Sequence, residues 1–236
     1  MMSSALSAVA FLTIVGRGQG IHRRAFWWFP IVGAALGAVL ASVHQGASEL
    51  WPPLVVGILV VAADLALTGA LHLDGLADSA DGLVPQINRD KRLTLMSQPD
   101  VGAFGVAAVV VVLGVRWAAL SVDSVASLSL IPIWALSRTV VAVVPALVPY
   151  ARPGGLADSF LGGANLWLTL WLAPVVGALV LTEGLSGAVA ATAGLVVSAV
   201  VVWFAWRKIG GFTGDVLGAV ILCAETAALL ALAANP

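Results

Sequence analysis

The sequence predicts an all-α fold, a polytopic integral membrane bundle of about seven transmembrane helices with a short N-terminal interfacial or re-entrant helix. Three observations lead there. Hydrophobic residues make up 61% and charged residues only 10% of 236 positions, with a mean hydropathy of +1.05, where soluble domains carry about 25% charge. The apolar residues fall into runs of roughly 20, the length of helix that crosses a hydrocarbon layer. The polar residues collect in a few connections rich in Arg, Lys and Asp. A formal net charge of −1 leaves no basic surface for nucleic-acid phosphates. The single cysteine, Cys223, excludes an intramolecular disulfide and a thiolate metal cluster.

In chain order, Ser4 to Val15 is apolar but too short to cross, and it lacks the basic leader and small-residue cleavage site of a signal peptide. It reads as the interfacial or re-entrant helix. The candidate spans are Ala25 to Gln45, Trp51 to Leu71, Ala103 to Val122, Val125 to Val148, Asn165 to Leu185, Ser186 to Trp206 and Val216 to Ala234. Abundant Gly, Ala and Ser suit close packing between such helices. The whole chain, 1–236, reads as one membrane domain.

Lys and Arg set the orientation. Arg17, Arg23 and Arg24 precede the first span, Arg89, Lys91 and Arg92 follow the second, Arg152 follows the fourth, and Arg207 and Lys208 follow the sixth. The remaining connections carry no Lys or Arg. The basic face, with the N-terminus and the long loops near 73–102, 150–164 and 207–215, is therefore expected in the cytoplasm. Asp74, Asp78, Asp81, Asp90, Asp100, Asp158 and Asp215 join the cations there, which makes this end a polar site on an apolar scaffold.

The most informative string is His72-Leu73-Asp74-Gly75-Leu76-Ala77-Asp78-Ser79-Ala80-Asp81-Gly82. If helical, it places Asp74, Asp78 and Asp81 on one face, because positions i, i+4 and i+7 nearly coincide at 3.6 residues per turn. Three adjacent carboxylates repel, and a divalent ion is the simplest remedy. Oxygen ligands without a thiolate favour Mg²⁺ or Mn²⁺, and Mg²⁺ commonly bridges one or two carboxylates to substrate phosphates. The bland alternative is a solvated acidic helix end.

Asn88 is placed to cap a short helix carrying Arg89, Lys91 and Arg92, cations suited either to a diphosphate or to anionic headgroups. Gly210-Gly211-Phe212-Thr213-Gly214-Asp215 opens the last span, where backbone N–H groups and a helix N-terminus can receive a phosphate; Asp215 can cap the helix or reach a metal. Gly155-Leu156-Ala157-Asp158-Ser159 echoes Gly75-Leu76-Ala77-Asp78-Ser79. Within the spans, Asp64, Arg116, Arg138 and Glu225 are expected to form ion pairs or to line a cavity.

These strings resemble the cobalamin synthase family, the adenosylcobinamide-GDP ribazoletransferases. The resemblance rests on His72 to Asp78 with Asp81-Gly82, Arg89 to Arg92, Gly102-Ala103-Phe104-Gly105, and Gly210 to Ala219. Phe29-Pro30-Ile31-Val32-Gly33, Ser137-Arg138 and Glu225 also match, so it spans nearly the whole chain. Where the family commonly has Asp-Ser-Arg before the third span, this chain has Gln98-Pro99-Asp100.

The resemblance implies a Mg²⁺-dependent enzyme of the bacterial or archaeal cytoplasmic membrane. A hydroxyl of α-ribazole, or of its 5′-phosphate, attacks the cobinamide-side phosphorus of adenosylcobinamide-GDP and expels GMP, forming adenosylcobalamin or its 5′-phosphate. On that reading Asp74, Asp78 and Asp81 hold the metal, with Asp78 and Asp81 catalytic. His72, Arg89, Arg92, Arg138, Arg152, Gly210, Gly211, Thr213 and Asp215 bind substrate. The partners expected are these substrates and the bilayer, no nucleic acid, and optionally a second copy or other late enzymes of cobalamin synthesis.

Two other readings compete. A CDP-alcohol phosphotransferase also begins Asp-Gly-x-x-Ala, but its continuation, Gly-x-x-x-Asp-x-x-x-Asp, is absent here. A transporter would gather polar groups near the bilayer midplane between broken helices, whereas these crowd one face.

Overall fold

In the computed structural model the described residues are 2–16, 22–152 and 163–234. Arg17 and most of the loop near 150–164, including Asp158 and the second Gly-Leu-Ala-Asp-Ser string, lie outside them. The helices are α1 (Met2–Leu12), α2 (Phe29–Ser48), α3 (Pro53–Thr68), α4 (Leu71–Leu83), α5 (Arg89–Leu95), α6 (Ala103–Leu120), α7 (Leu130–Leu147), α8 (Leu172–Ile209) and α9 (Gly214–Ala233). Among the described residues the only extended pairing is an isolated parallel bridge between Tyr150 and Phe212.

Five helical stretches are long and apolar enough to cross a membrane, or six when α3 and α4 count as one broken span. The expected seventh comes from α8, whose 38 residues are interrupted at Gly184 (φ 59°, ψ −131°). That conformation is open only to a residue without a Cβ. The chain doubles back there, so that Gly187 lies against the backbone of Leu179; with the 3₁₀ turn Leu166–Trp171 that leads into α8, the two arms, 166–183 and 185–209, correspond to the predicted fifth and sixth spans.

The second span needs a correction. It does not run straight to Leu71: α3 stops at Thr68 and α4 leaves at 91°. Gly69 (φ 61°) and Ala70 (φ 56°) both adopt left-handed backbone, which turns the chain sharply and costs Ala70 about 1–2 kcal/mol. The acidic motif is thus a separate helix lying across its neighbours, packed on α9 and α6. Helix α1, at 11 residues, is too short to cross and packs with Phe11 stacked on Phe29 at 5.5 Å. The Ile14 N–H donates to Leu67 O at 2.9 Å, so α1 sits at the same end of the bundle as the α3–α4 bend.

The intramembrane charges form one buried network, as pairing predicts. Arg116 bonds Asp64 at 2.8 Å and Glu225 at 2.9 Å while lying over the Trp134 ring. Trp134 Nε1 donates to Asp64 Oδ1 at 3.0 Å, Ser137 Oγ donates to Glu225 Oε1 at 2.8 Å, and Arg138 pairs with Glu225. Four helices, α3, α6, α7 and α9, are pinned together by groups that would otherwise be costly in an apolar interior.

Candidate active site

Helix α4 has two faces because its sequence is written at helical period. His72, Gly75, Leu76, Ser79 and Leu83 fall on one side and are buried, while Asp74 is exposed and Asp78 and Asp81 half-buried on the other. The buried face rests on the start of α9 with little space between the backbones. A Cβ at Gly75 would lie 2.8 Å from the carbonyl O of Asp215, and one at Gly218 would lie 3.2 Å from His72 Cα. Only glycine permits this approach, and its consequence is to bring Asp215 beside the acidic face.

The electrostatics show which carboxylates share the site. Asp78 is pushed up to about 7, first by burial, then by the charges of Asp215 and Asp74, with Arg152 opposing and Asp81 contributing least. Arg152 Nη2 stands 3.6 Å from Asp215 Oδ2 and donates to Leu93 O at 3.1 Å, so it is held at the rim by α5. The acidic centre therefore gathers Asp78, Asp215 and Asp74, with Asp81 acting most weakly and Arg152 beside it.

Asp81, the third of the expected trio, also serves a second element. Its Oδ2 accepts the Gly102 N–H at 2.7 Å and its Oδ1 accepts the Gly105 N–H at 2.9 Å. Both oxygens satisfy the open N-terminus of α6, the task of a capping side chain, and each keeps one further lone pair.

The expected phosphate-gripping cations are likewise engaged elsewhere. Arg92, buried, donates through Nη1 to Gly82 O at 2.8 Å and Leu83 O at 2.7 Å, closing the C-terminus of α4. Arg89 donates to Ile209 O at 2.8 Å and to Ala151 O at 3.1 Å. Arg138 belongs to the buried network with Glu225. Last-turn carbonyls attract guanidinium groups strongly, which is why a basic loop at helix ends need not face substrate. His72 is 4% exposed, on the face of α4 turned from the aspartates.

The Gly210 to Asp215 segment is built as a connector. Gly210 (φ 77°) ends α8. Gly211 lies against Pro149, where Phe212 N–H donates to Pro149 O at 3.0 Å and Ala151 N–H donates to Phe212 O at 2.8 Å. Thr213, fully buried, caps α9 by accepting the Val216 N–H at 3.3 Å and lies 3.1 Å from Asp215 Oδ2. These contacts fix the segment that leads into Asp215, while Gly214 at the start of α9 stays exposed, with open space around it. The convergence of Asp215 with Asp78 is what sequence reasoning underweighted; its only signal was that both motifs fall at one end of the bundle.

Among the described residues no three His, Cys, Asp or Glu side chains form a preassembled metal cage. The donor set nevertheless suits Mg²⁺, which is usually held by one or two carboxylates and completes its shell with water and substrate phosphate. Burial first, and then the charges of Asp215 and Asp74, raise Asp78, and Arg152 opposes them, so a further positive charge beside it would favour the carboxylate.

Comparison with known proteins identifies the family. A family model described as cobalamin-5-phosphate synthase matches residues 4–233. The chain is 35% identical to an adenosylcobinamide-GDP ribazoletransferase of Chlorobaculum parvum, over 95% of this chain and 91% of the relative. It is 36% identical to one of Bradyrhizobium diazoefficiens, over 96% and 92%, and 35% identical to one of Pseudomonas aeruginosa, over 89% and 86%. No solved structure matches.

Proposed function

The chain belongs to the cobalamin-5-phosphate synthase family, and from that premise we propose that it is an adenosylcobinamide-GDP ribazoletransferase whose chemistry occurs at Asp74, Asp78 and Asp215. It transfers the adenosylcobinamide-phosphate moiety of adenosylcobinamide-GDP to α-ribazole or α-ribazole 5′-phosphate. The acceptor hydroxyl oxygen forms a bond to the cobinamide-side phosphorus, the phosphoanhydride bond breaks, and GMP leaves with the electron pair. The observation that carries the site is the electrostatic coupling of Asp78 to Asp215 and Asp74 beside Arg152. Neither the CDP-alcohol nor the transport reading has a specific observation in its favour.

Such a displacement depends on positioning and on neutralising phosphate charge more than on covalent help from the protein. Mg²⁺, held by Asp74, Asp78 and Asp215, would supply most of that neutralisation. Arg152, tethered by Leu93 O at one side of its fork, offers its remaining donors to a phosphoryl oxygen. Asp81, Arg92, Arg89 and Thr213 act one step back, fixing the ends of α6, α4, α8 and α9 around the centre. The excess of Lys and Arg in its connections supports a cytoplasmic position for this end of the bundle, on the side of both polar substrates.

Purified protein given adenosylcobinamide-GDP and α-ribazole 5′-phosphate tests the reading. GMP release with Mg²⁺ that stops with EDTA is the expected result. Absence of GMP from folded, Mg²⁺-supplied protein would refute it.

A further inference from the structure

Outside the acidic centre, a cavity of about 450 Å³ runs between α7, the second arm of α8 and the 3₁₀ turn before α8. Its lining includes Val144, Leu147, Leu195, Val202, Trp203 and Trp206, and its side-chain polar groups are the Thr169 and Ser198 hydroxyls and the two indole N–H groups. From Leu195 to Trp206 the groove follows α8 for about 16 Å at the rise of a helix, a long, narrow and apolar shape. Leu147, Trp203 and Trp206 are exposed, so it opens on the flank of the bundle toward the hydrocarbon. Trp206, at one end of it, is followed in the chain by Arg207 and Lys208.

Arg207 is exposed and lies with its guanidinium carbon 5.8 Å from the centroid of the Trp203 ring, one of the groove's walls. A cation at the mouth of an apolar slot, flanked by tryptophans of the kind that settle at headgroup depth, matches a molecule with an anionic head and a long apolar tail. A helix of a second copy would fill the slot without using that charge.

We propose that this groove is a binding site for an anionic phospholipid, one acyl chain lying along α8 from Trp206 to Leu195 and the phosphate meeting Arg207. The site belongs to the leaflet on the side of the acidic centre. Its floor continues directly into the segments that hold Asp215, since Val148 precedes the Pro149 to Ala151 stretch paired with Phe212. Charge supplies the headgroup preference and the apolar length supplies retention.

Native mass spectrometry of the full chain in detergent, with phosphatidylglycerol or phosphatidylcholine added, tests this. The wild type is expected to retain one phosphatidylglycerol several-fold more strongly than phosphatidylcholine. Arg207→Gln should bring the two lipids level, and Ala199→Trp, which places a ring in the groove from a lipid-facing position, should remove the retained lipid of either kind. Circular dichroism and size exclusion confirm that both variants remain folded. Phosphatidylglycerol retained equally by the wild type and both folded variants would overturn the proposal. So would a dimer present in the wild type and lost in Ala199→Trp, which would give the groove to a second copy.

Discussion

The α-carbon of Asp215 lies 3.1 Å from where a Cβ on Gly75 would sit, so the acidic helix α4 and the start of α9 touch backbone to backbone. Everything at the centre depends on that contact, because it carries a carboxylate from the last span to the side of Asp78. Gly75→Ala must push the two helices apart. A displacement of a few tenths of an ångström to 1 Å at a phosphoryl-transfer site costs up to about 100-fold in rate. Turnover by this variant is expected to fall roughly 10- to 100-fold and its melting temperature to fall as well, because backbone atoms cannot give way cheaply, as read by GMP release and a melting assay on the same preparation.

Asp78→Asn should reduce turnover by at least about 100-fold, more than the loss of an outer partner of a metal ligand, without removing the folded protein from the membrane. Asp81→Asn retains one acceptor oxygen for the α6 terminus. It should keep most of its activity and lose about 1 kcal/mol of stability, the usual worth of a cap. Steady-state rates of the two variants side by side separate these roles, and equal loss in both would return Asp81 to the centre.

Protonation gives a third expectation. With Asp78 near 7 in the metal-free protein, the carboxylic acid form dominates below that pH and binds Mg²⁺ poorly; the carboxylate dominates above it. The Mg²⁺ concentration for half-maximal activity should therefore rise as pH falls from 8 to 6, by up to about tenfold for each unit below 7. A half-saturation that does not vary with pH would contradict the coupling.

Arg92 and Arg152 should divide stability from substrate binding. Arg92→Gln removes buried donors to Gly82 O and Leu83 O, so it lowers the melting temperature and leaves the KM for adenosylcobinamide-GDP nearly unchanged. Arg152→Gln should raise that KM about tenfold, within the range of a charge-assisted hydrogen bond, with a small change in melting.

The buried network makes a prediction about folding alone. Arg116→Gln leaves Asp64 and the Arg138–Glu225 pair without their shared counter-charge, and breaking a buried ion pair typically costs about 3–5 kcal/mol. The variant should melt well below the wild type, and loss of folded protein should account for any loss of activity.

The fold was largely legible in the sequence because hydropathy and length decide which segments can cross a bilayer, and the break at Gly184 falls next to the predicted boundary at Leu185. The 91° turn after Thr68 was not, since two successive left-handed residues, one of them Ala70, leave no signal in hydropathy. At the site, the helical face of Asp74 and Asp78 followed from spacing alone. Periodicity could not reveal that Asp81 is claimed by Gly102 and Gly105, nor that Arg89 and Arg92 answer to carbonyls, because those partners depend on where other helices end. From sequence Asp215 reads as able to cap α9 or reach a metal, but its closeness to Asp78 depends on how α9 packs against α4.

The assignment of the metal to Asp74, Asp78 and Asp215 is tested most directly by titrating Mn²⁺, as a substitute for Mg²⁺, into the purified full-length protein and following free Mn²⁺ by electron paramagnetic resonance. Wild type and Asp81→Asn should bind one ion with similar affinity, whereas Asp78→Asn and Asp215→Asn should each bind at least about tenfold more weakly. Loss of binding in Asp81→Asn with full retention in Asp215→Asn would contradict the account and restore the trio on α4.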